Sequence, residues 1–395
     1  MANLKEVVIV AAKRTPVGSF QGVFANVPSP KLGSTVIKSI VDETKIDPQQ
    51  IDEVIMGCVL PAGLGQAPAR QAALGADLPN SVECMTINKV CGSGIKSAML
   101  ATQAIQVGDA DVIIAGGMEN MTLAPYMLPK ARTGYRMGHG QLIDGMIKDG
   151  LWDVYNDIHM GNCAELCAKD RKYSREQQDA FAIESYKKAQ SAQKSGEFDN
   201  EICSVEIPQR KGDPIAISQD EETGRTNFDK IPKLRPAFEK EGTITAANAS
   251  KINDGAAAVM LMSKEKAEEL KIKPIVKVIA QASAAQAPEW FTTAPSKAIA
   301  KALKKANMKA DDIDLWEINE AFAPVAMAAI DDFKIDMKKV NVNGGAIAIG
   351  HPIGASGARI FTTLIHAMQK QNAKFGLATL CIGGGEAAAV IVERI

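Results

Sequence analysis

A cysteine directly before a Gly-Ser-Gly turn is the first residue of this sequence whose setting suggests chemistry. In "NKVCGSGIKSAML" (88–100), Cys91 follows an apolar stretch and precedes a helix-forming run. A thiol at a helix N-terminus has its thiolate favoured by unpaired backbone N–H groups and by the positive end of the helix dipole. Gly92 and Gly94 leave room for a ligand to approach closely. The pattern predicts a nucleophile at Cys91, and a small core residue beside a tight turn is the alternative.

Three further residues that could take part in catalysis lie beside glycines or at predicted strand ends. His351, in "GGAIAIGHPIGASG" (344–357), has backbone freedom around it that lets its ring act as a general base. A turn histidine bonded to the backbone is the alternative. Cys381 opens "CIGGGEA", whose glycines leave backbone N–H groups free to line an oxyanion hole. Asn319, in "NEAF", can hold a water or a carbonyl oxygen, whereas a lone asparagine commonly caps a turn.

These four candidate residues each end a strand or open a helix. Ligands gather at such ends in α/β folds, so we expect the four side chains to meet at one edge of a sheet. Other chemistries find no support, because "GLGQAP" fails the dinucleotide pattern and "GHPIGASGAR" lacks the Lys-Ser/Thr pair of a nucleoside-triphosphate loop. Glu119, Glu320 and Glu386 have ordinary strand-end explanations, so no pair of catalytic carboxylates is predicted.

The elements that must position these residues occur twice along the chain. "SPKLGSTVIKSIVDETKIDPQQIDEVIMG" (29–57) and "APSKAIAKALKKANMKADDIDLWEINEAF" (294–322) each indicate a Pro-containing helix start, an amphipathic helix, an Asp-rich link and an apolar strand. The segments that begin at Gly92 and Ala355 each run from small residues through a helix to a buried strand and glycines. The two pairs follow in the same order, which predicts a duplicated unit that contains a βαβ motif.

Residues 121–250 separate the two copies and differ from them in composition. They contain a helix that begins with a capping box, Ser174 with Gln177, and that is expected to stop at Gly196. We interpret this region as an insertion that supplies substrate contacts, after which "NASKINDGAAAVMLM" completes the first half. The predicted organisation is an N-terminal half of residues 1–120 plus 251–270, an inserted loop domain of residues 121–250, and a C-terminal half of residues 271–395.

Composition is that of a soluble globular enzyme, and 395 residues predict two or three domains. The formal net charge is −1, and no apolar run is long enough for a membrane span, so neither nucleic acid nor a membrane is an expected partner. "MANLKEVVIVAAKRTP" predicts a first β-strand and no signal peptide, which makes the cytoplasm the expected compartment. The seven cysteines are irregularly spaced, as for free thiols, and Cys163 with Cys167 lacks the further ligands of a metal site.

At these motifs the chain resembles the thiolases, specifically the acetyl-CoA C-acetyltransferases of the biosynthetic type. The resemblance covers essentially the whole chain and rests on "VCGSG", "GGMENM", "NEAFA", "GGAIAIGHPIGASG" and "CIGGGEA", in the family's order and spacing. It implies an α/β thiolase fold in which two similar halves form a five-layered α-β-α-β-α core with an inserted loop domain. It also implies a homotetramer built as a dimer of dimers.

The resemblance assigns a role to each candidate residue. Cys91 resembles the nucleophile that takes the acetyl group as a thioester, and His351 resembles the base that activates it. His351 and a water held by Asn319 would bind the thioester oxygen of an acyl-CoA. The backbone N–H groups of Cys91 and Gly383 would form a second oxyanion hole. Cys381 resembles the acid/base that removes the α-proton of a second acetyl-CoA.

The resemblance also implies a site for coenzyme A. His159 and Met160, in "HMG", and Ser250, in "NASKINDG", match positions that contact the pantetheine arm. Further lining positions are matched by Ala246, Phe238, Phe291, Ala321 and Phe322. Neither a metal nor a bound cofactor is implied, because coenzyme A is itself substrate and product.

The expected activity is that of an acyltransferase, the reversible Claisen condensation of two acetyl-CoA to acetoacetyl-CoA and CoA through an acetyl-cysteine. A degradative 3-ketoacyl-CoA thiolase that acts on longer chains is the alternative. A decarboxylating ketoacyl synthase would carry a second histidine where this chain has Asn319, and a non-enzymatic acyl-CoA carrier would be expected to lose Cys91 or His351. If Cys91 and Cys381 converge on one carbon, oxidation could join them as a regulatory disulfide.

Overall fold

The computed structural model describes residues 4–395 of the chain. Its strands are β1 Val7–Arg14, β2 Gly18–Ser19, β3 Glu53–Gly57, β4 Glu83–Ile87, β5 Val112–Asn120, β6 Tyr126–Met127, β7 Ile143–Asp144, β8 Trp152–Asp153, β9 Ile158–His159, β10 Val205–Ile207, β11 Ile215–Ile217, β12 Asn253–Ser263, β13 Val276–Ala285, β14 Leu315–Ile318, β15 Phe375–Ile382 and β16 Glu386–Arg394. Its α-helices are α1 Ser29–Thr44, α2 Pro68–Gly75, α3 Ser93–Val107, α4 Met160–Arg171, α5 Arg175–Lys194, α6 Lys264–Leu270, α7 Ala294–Ala306, α8 Ala323–Phe333, α9 Ala346–Ile349 and α10 Ser356–Lys370.

The largest sheet of the described residues repeats its own topology. It has ten strands in the order β14-β15-β16-β13-β1-β12-β5-β3-β4, with β2 beside β12. β1 and β13 meet through only two residue pairs, at Val8 and Ile9. On either side of this junction, β12 and β16 are antiparallel to both neighbours, whereas the β3–β5 and β14–β15 pairs are parallel. In the second half, a parallel bridge between Trp316 and Val340 takes the place that the β3–β4 pair has in the first half. The predicted duplication is confirmed.

Helices complete five layers around the two halves of this sheet. α1 and α2 pack on the outer face of the first half, where Leu32 and Ala72 join a core with strand residues such as Val54. α3 and α10 lie in the middle, and their apolar side chains share one core with strands of both halves. α7 and α8 cover the outer face of the second half. The predicted α-β-α-β-α fold is confirmed.

The central strands are buried on both faces, and this burial brings the two halves close together. Every residue of β5 and of β12 is buried, which explains the apolar and small residues along the middle of both strands. In β5, a Cβ added at Gly117 would overlap the backbone of Gly354. The loop that precedes α10 therefore lies directly on β5, and this contact places residues of the second half beside those of the first.

The inserted region contains the helix predicted there. α5 begins with the predicted capping box, in which Ser174 and Gln177 each bond to the other's backbone. It ends at Lys194, and Gly196 follows with a φ of 73°, a left-handed conformation that suits glycine.

A buried ion cluster fastens the inserted region to β1. The Arg14 guanidinium donates to Glu201 at 2.5 Å and to Asp220 at 2.7 and 2.9 Å, and all three side chains are buried. Removing either carboxylate would leave a buried charge short of a partner, so the cluster fixes how the insertion sits on the first half. The sequence boundaries of the three regions, 1–120 with 251–270, 121–250 and 271–395, stay predictions.

Candidate active site

Cys91 lies in a strained turn between β4 and α3. The preceding residue, Val90, has a φ of +47°, a left-handed conformation that is unusual for a β-branched residue. Surrounding groups enforce it: Val90 N donates to Asn88 Oδ1 at 2.9 Å, and the Ser93 hydroxyl donates to Val90 O at 2.7 Å. Lys89 N donates back to Ser93 Oγ at 2.8 Å. The thiol is thereby held at the start of α3 in one orientation.

The thiol of Cys91 is protonated at rest. Burial raises its pKa to about 11, although N–H groups of Gly383 and of Cys91 itself act in the opposite direction, and the charge of Glu119 raises it further. The expectation that a helix N-terminus favours the thiolate is therefore outweighed by desolvation. Attack by this sulfur requires a base.

The ring of His351 is oriented to be that base. Its Nδ1 lies 2.6 Å from Ser356 Oγ, and the Ser356 hydroxyl donates its only hydrogen to Pro352 O at 2.8 Å. We assign the hydroxyl hydrogen to Pro352 O, so that Ser356 accepts from Nδ1–H and the Nε2 lone pair is free. Burial lowers the pKa of His351 to about 3, and the Arg359 charge acts in the same direction, so the ring is neutral. The alternative of a turn histidine bonded to the backbone through its ring does not describe this side chain.

Cys381 and Gly383 approach Cys91 from the other half of the molecule. Cys381 is fully buried near the end of β15, and burial followed by the charge of a Cys91 thiolate raises its pKa well above the ordinary value. The N–H of Gly383, in the turn to β16, acts on the Cys91 sulfur. The structure thus brings the buried Cys381 thiol and the half-buried Cys91 thiol together, with backbone donors beside the predicted nucleophile.

Asn319 follows β14 and is buried without a side-chain partner. Its backbone N–H donates to Thr379 O at 3.0 Å, but neither Nδ2 nor Oδ1 has a hydrogen-bond partner within residues 4–395. A buried amide without partners costs free energy unless a water or a ligand satisfies it. The side chain is therefore suited to the predicted task of holding a water or a carbonyl oxygen.

The residues predicted to bind coenzyme A gather at two connected places. Four of them share one apolar cluster with Cys381, and these are Met160, Phe291, Ala321 and Phe322. Ala246, Ser250 and Phe238 line an open groove of about 350 Å³. Ser250 N donates to Ala321 O at 2.9 Å, which joins the groove to the cluster.

His159 belongs to the same wall as Phe238. The two rings stack with centroids 4.8 Å apart, and His159 Nδ1 accepts from Gly161 N at 3.0 Å at the start of α4. Burial lowers the pKa of His159. A neutral ring held in this way forms an apolar side of the groove and leaves Nε2 for a polar contact.

Sequence reasoning missed the residues that hold the site in shape. Ser356 was hidden in a small-residue run, and its spacing of five from His351 was the available signal. Glu119 has only the ordinary strand-end explanation in the sequence, whereas it is completely buried in the fold. Lys89 and Glu386 form an ion pair across 297 residues, which no local pattern indicates.

Within residues 4–395, no three or more His, Cys, Asp and Glu side chains are grouped so that they could hold a metal ion. Among the helices of the same residues, none combines the length and the apolar character that crossing a membrane requires.

Known proteins resemble this chain over nearly its whole length. The family profile "Thiolase, N-terminal domain" matches residues 7–265, and "Thiolase, C-terminal domain" matches residues 272–394. The acetyl-CoA acetyltransferase of Cupriavidus necator is 55% identical over 393 residues, which are 99% of this chain and 100% of that protein. The enzyme of the same name from Schizosaccharomyces pombe is 50% identical over 391 residues, 99% of each chain.

Solved structures agree with the fold. The Acat5 thiolase from Ascaris suum in complex with coenzyme A superposes with a TM-score of 0.94 at 44% identity, covering 99% of this chain and 100% of that one. The acetyl-CoA acetyltransferase of Bacillus anthracis superposes with a TM-score of 0.97 at 38% identity and covers all of both chains.

Proposed function

This chain belongs to the thiolase family and is an acyltransferase, and we propose that it catalyses the reversible condensation of two acetyl-CoA to acetoacetyl-CoA and CoA. One observation carries the proposal. The thiols of Cys91 and Cys381 act on each other at one site, where Cys381 belongs to an apolar cluster that suits a pantetheine arm. To the same site we assign the neutral imidazole of His351, with its free Nε2, and the unpartnered buried amide of Asn319.

The first half-reaction transfers the acetyl group to Cys91. Nε2 of His351 takes the thiol proton, and the resulting thiolate attacks the thioester carbon of acetyl-CoA. The tetrahedral intermediate collapses with cleavage of the carbon–sulfur bond to CoA. The leaving CoA thiolate takes the proton of Cys381 and departs as free CoA. The enzyme then carries an acetyl-cysteine, a protonated His351 and a Cys381 thiolate.

The second half-reaction forms the carbon–carbon bond. The Cys381 thiolate is a strong base because burial raises its pKa, and it removes the α-proton of a second acetyl-CoA. Protonated His351 and a water on Asn319 stabilise the enolate oxygen. The enolate carbon attacks the acetyl-cysteine, whose oxygen is received by the N–H groups of Cys91 and Gly383. Cys91 leaves as a thiolate and takes the proton back from His351, which restores the resting state.

Mass spectrometry separates the two half-reactions. Incubation with acetyl-CoA followed by digestion should place an acetyl group on Cys91. Cys91→Ala should lose the adduct, whereas Cys381→Ala should form it without producing acetoacetyl-CoA. An unmodified Cys91 in wild-type enzyme, under conditions where acetoacetyl-CoA is formed, would refute the covalent route.

The aromatic side chains in the cluster that contains Cys381 are our reason for favouring acetyl-CoA over longer acyl chains. Phe291 is buried in the cluster that contains Cys381, and its ring centroid lies 6.3 Å from that of Phe322. Two aromatic rings at this position leave little room for an extended acyl chain. Thiolysis rates on acetoacetyl-CoA and on a long-chain 3-ketoacyl-CoA test this, and a faster rate on the long chain would favour the degradative alternative.

The assembly and compartment predicted from the sequence are proposals as well. A homotetramer is supported by exposed apolar side chains that concentrate in one segment, namely Leu123, Tyr126, Leu128, Tyr135, Met137 and Leu142. The edge strand β4, partly exposed along its length, offers a second contact. Light scattering of the purified enzyme tests the tetramer. Seven free thiols suit a reducing compartment such as the cytoplasm, which cell fractionation tests.

A further inference from the structure

Glu119 is a buried carboxylate surrounded only by hydrogen-bond donors. It lies near the end of β5 and is completely buried. Its Oε2 accepts from Val59 N at 2.9 Å and from Gly354 N at 2.9 Å, and its Oε1 accepts from Leu60 N at 3.2 Å. The Cys58 thiol lies 3.7 Å from Oε1. Charge-assisted bonds to backbone N–H groups are among the stronger hydrogen bonds in proteins.

One of these bonds seats the loop that carries His351. Gly354 belongs to the stretch between His351 and α10, and its N–H reaches Glu119 across 235 residues. This loop has few side chains to hold it, and Gly350 within it has a φ of +121°. The position of the loop therefore depends on hydrogen bonds made by its backbone. The bond from Gly354 N to Glu119 is one of these, and its acceptor is an ionisable side chain.

A second chain of contacts leads from the same oxygen to the nucleophile. Val59, whose N–H binds Glu119, accepts from Asn88 Nδ2 through its carbonyl at 3.3 Å. Asn88 Oδ1 accepts from Val90 N at 2.9 Å, and Val90 is the strained residue directly before Cys91. The path from the carboxylate to the turn of the nucleophile is thus continuous.

We propose that Glu119 is a positioning residue that ties the Cys91 turn and the His351 loop to one point, so that Cys91 and the free Nε2 of His351 meet in reacting geometry. The proposal rests on the proposed function, because it concerns proton transfer between these two groups. Glu119 touches neither reacting atom, and it acts through Val59, Asn88 and Gly354. A displacement of about 1 Å in a reacting pair can cost a hundredfold in rate.

The charge of Glu119 and the hydrogen bonds that it accepts have different effects on the site. Burial raises the pKa of Glu119 to about 7, against three N–H donors that lower it. The same negative charge raises the pKa of Cys91. Neutralising Glu119 should therefore lower the Cys91 pKa, while loss of the tie slows proton transfer. A residue that only supported the fold would leave kcat unchanged at equal population of folded enzyme, whereas the shift of the Cys91 pKa follows from the lost charge alone.

Glu119→Gln in the full chain tests the proposal against Asp314→Asn. Asp314 Oδ2 also accepts two backbone N–H groups, of Lys374 at 2.8 Å and Phe375 at 2.9 Å, at the start of β15, whose other end carries Cys381. Both variants place an amide where a carboxylate met N–H donors. The measurements are Tm, kcat, KM for acetyl-CoA, and the pH profile of Cys91 alkylation by iodoacetamide.

We expect Glu119→Gln to lower kcat about tenfold or more with KM changed less than about threefold, and to shift the alkylation profile to lower pH. Asp314→Asn should lower Tm without either change. If Glu119→Gln does not fold, Asn88→Ala cuts the path to Val90 alone and should lower kcat in the same way. A kcat within twofold of wild type in the folded variant, or an equal loss in Asp314→Asn, overturns the proposal. The wild-type enzyme separates the two failures: if it forms no acetoacetyl-CoA the proposed function is wrong, whereas if it does so and folded Glu119→Gln keeps its kcat, only the tie is wrong.

Discussion

Replacing Ser356 with alanine tests whether one hydroxyl sets the tautomer of the catalytic imidazole. The hydroxyl donates to Pro352 O at 2.8 Å, so its oxygen accepts from His351 Nδ1 at 2.6 Å. Alanine removes that acceptor and leaves Nδ1–H unpaired in a buried site. An unsatisfied buried donor costs about 1–3 kcal/mol.

The ring can avoid this cost only by moving its proton to Nε2. Nε2 is the atom that must accept the Cys91 proton, so the tautomer that relieves the unpaired donor cannot act as the base. If about 1–2 kcal/mol of the bias toward Nδ1–H is lost, the rate of Cys91 acetylation falls about 5- to 30-fold, since 1.36 kcal/mol corresponds to tenfold. Binding of acetyl-CoA should change little, because Ser356 is buried behind the ring.

A single-turnover assay of CoA release from acetyl-CoA measures this step directly. Ser356→Thr keeps a hydroxyl and should retain most of the rate. Ser97→Ala is the matched control, because the buried Ser97 hydroxyl, on α3, lies 2.7 Å from both Gly94 O and Gly116 O and has no contact with His351. If Ser356→Ala acetylates Cys91 within twofold of wild type, the assignment of the tautomer to this contact is wrong.

The pKa of Cys91 is raised to about 11 and that of His351 is lowered to about 3. The rate of Cys91 alkylation by iodoacetamide should therefore rise with pH through 9 and 10, without a step near 6.5. A plateau of that rate below pH 9 would contradict this prediction. Asn319→Ala should leave the rate of Cys91 acetylation within about threefold of wild type. It should slow condensation about a hundredfold or more, because an oxyanion-hole donor is lost. Rapid-quench assays measure both steps, and equal effects on the two would argue against a role of Asn319 in the second half-reaction. Glu386→Gln breaks a partly exposed ion pair with Lys89 and should lower kcat less than about fivefold. High salt screens the same pair, so it should lower the kcat of wild type to a similar extent and leave the kcat of the variant unchanged.

The duplication and the four candidate residues could be predicted from the sequence because both leave local marks. A helix of fixed period followed by an apolar strand is visible without knowing its neighbours, and here it occurs twice in the same order. Cys91, His351 and Cys381 each lie beside glycines that a core position does not need. Strand ends in an α/β fold converge, so the meeting of these residues could be expected from the pattern alone.

The electrostatics of the site could not be predicted in the same way. The helix N-terminus at Cys91 is visible in the sequence and indicates a lowered thiol pKa, whereas burial, which depends on the whole fold, reverses the sign. Glu119 illustrates the same limit. Its partners Val59 and Gly354 lie 60 and 235 residues away, so only the packed structure shows that the carboxylate has donors on every side.

The duplicated halves use the same residue for two different tasks. α3 begins with Ser93 followed by glycine, and α10 begins with Ser356 followed by glycine. Ser93 accepts from Lys89 N at 2.8 Å and donates to Val90 O at 2.7 Å, and it thereby holds the strained turn that presents Cys91. Ser356 accepts from His351 at 2.6 Å and donates to Pro352 O at 2.8 Å, and it thereby leaves Nε2 free. One inherited serine at a helix start thus orients the nucleophile in the first copy and the base in the second, which explains why the pair could arise by duplication of a single structural unit.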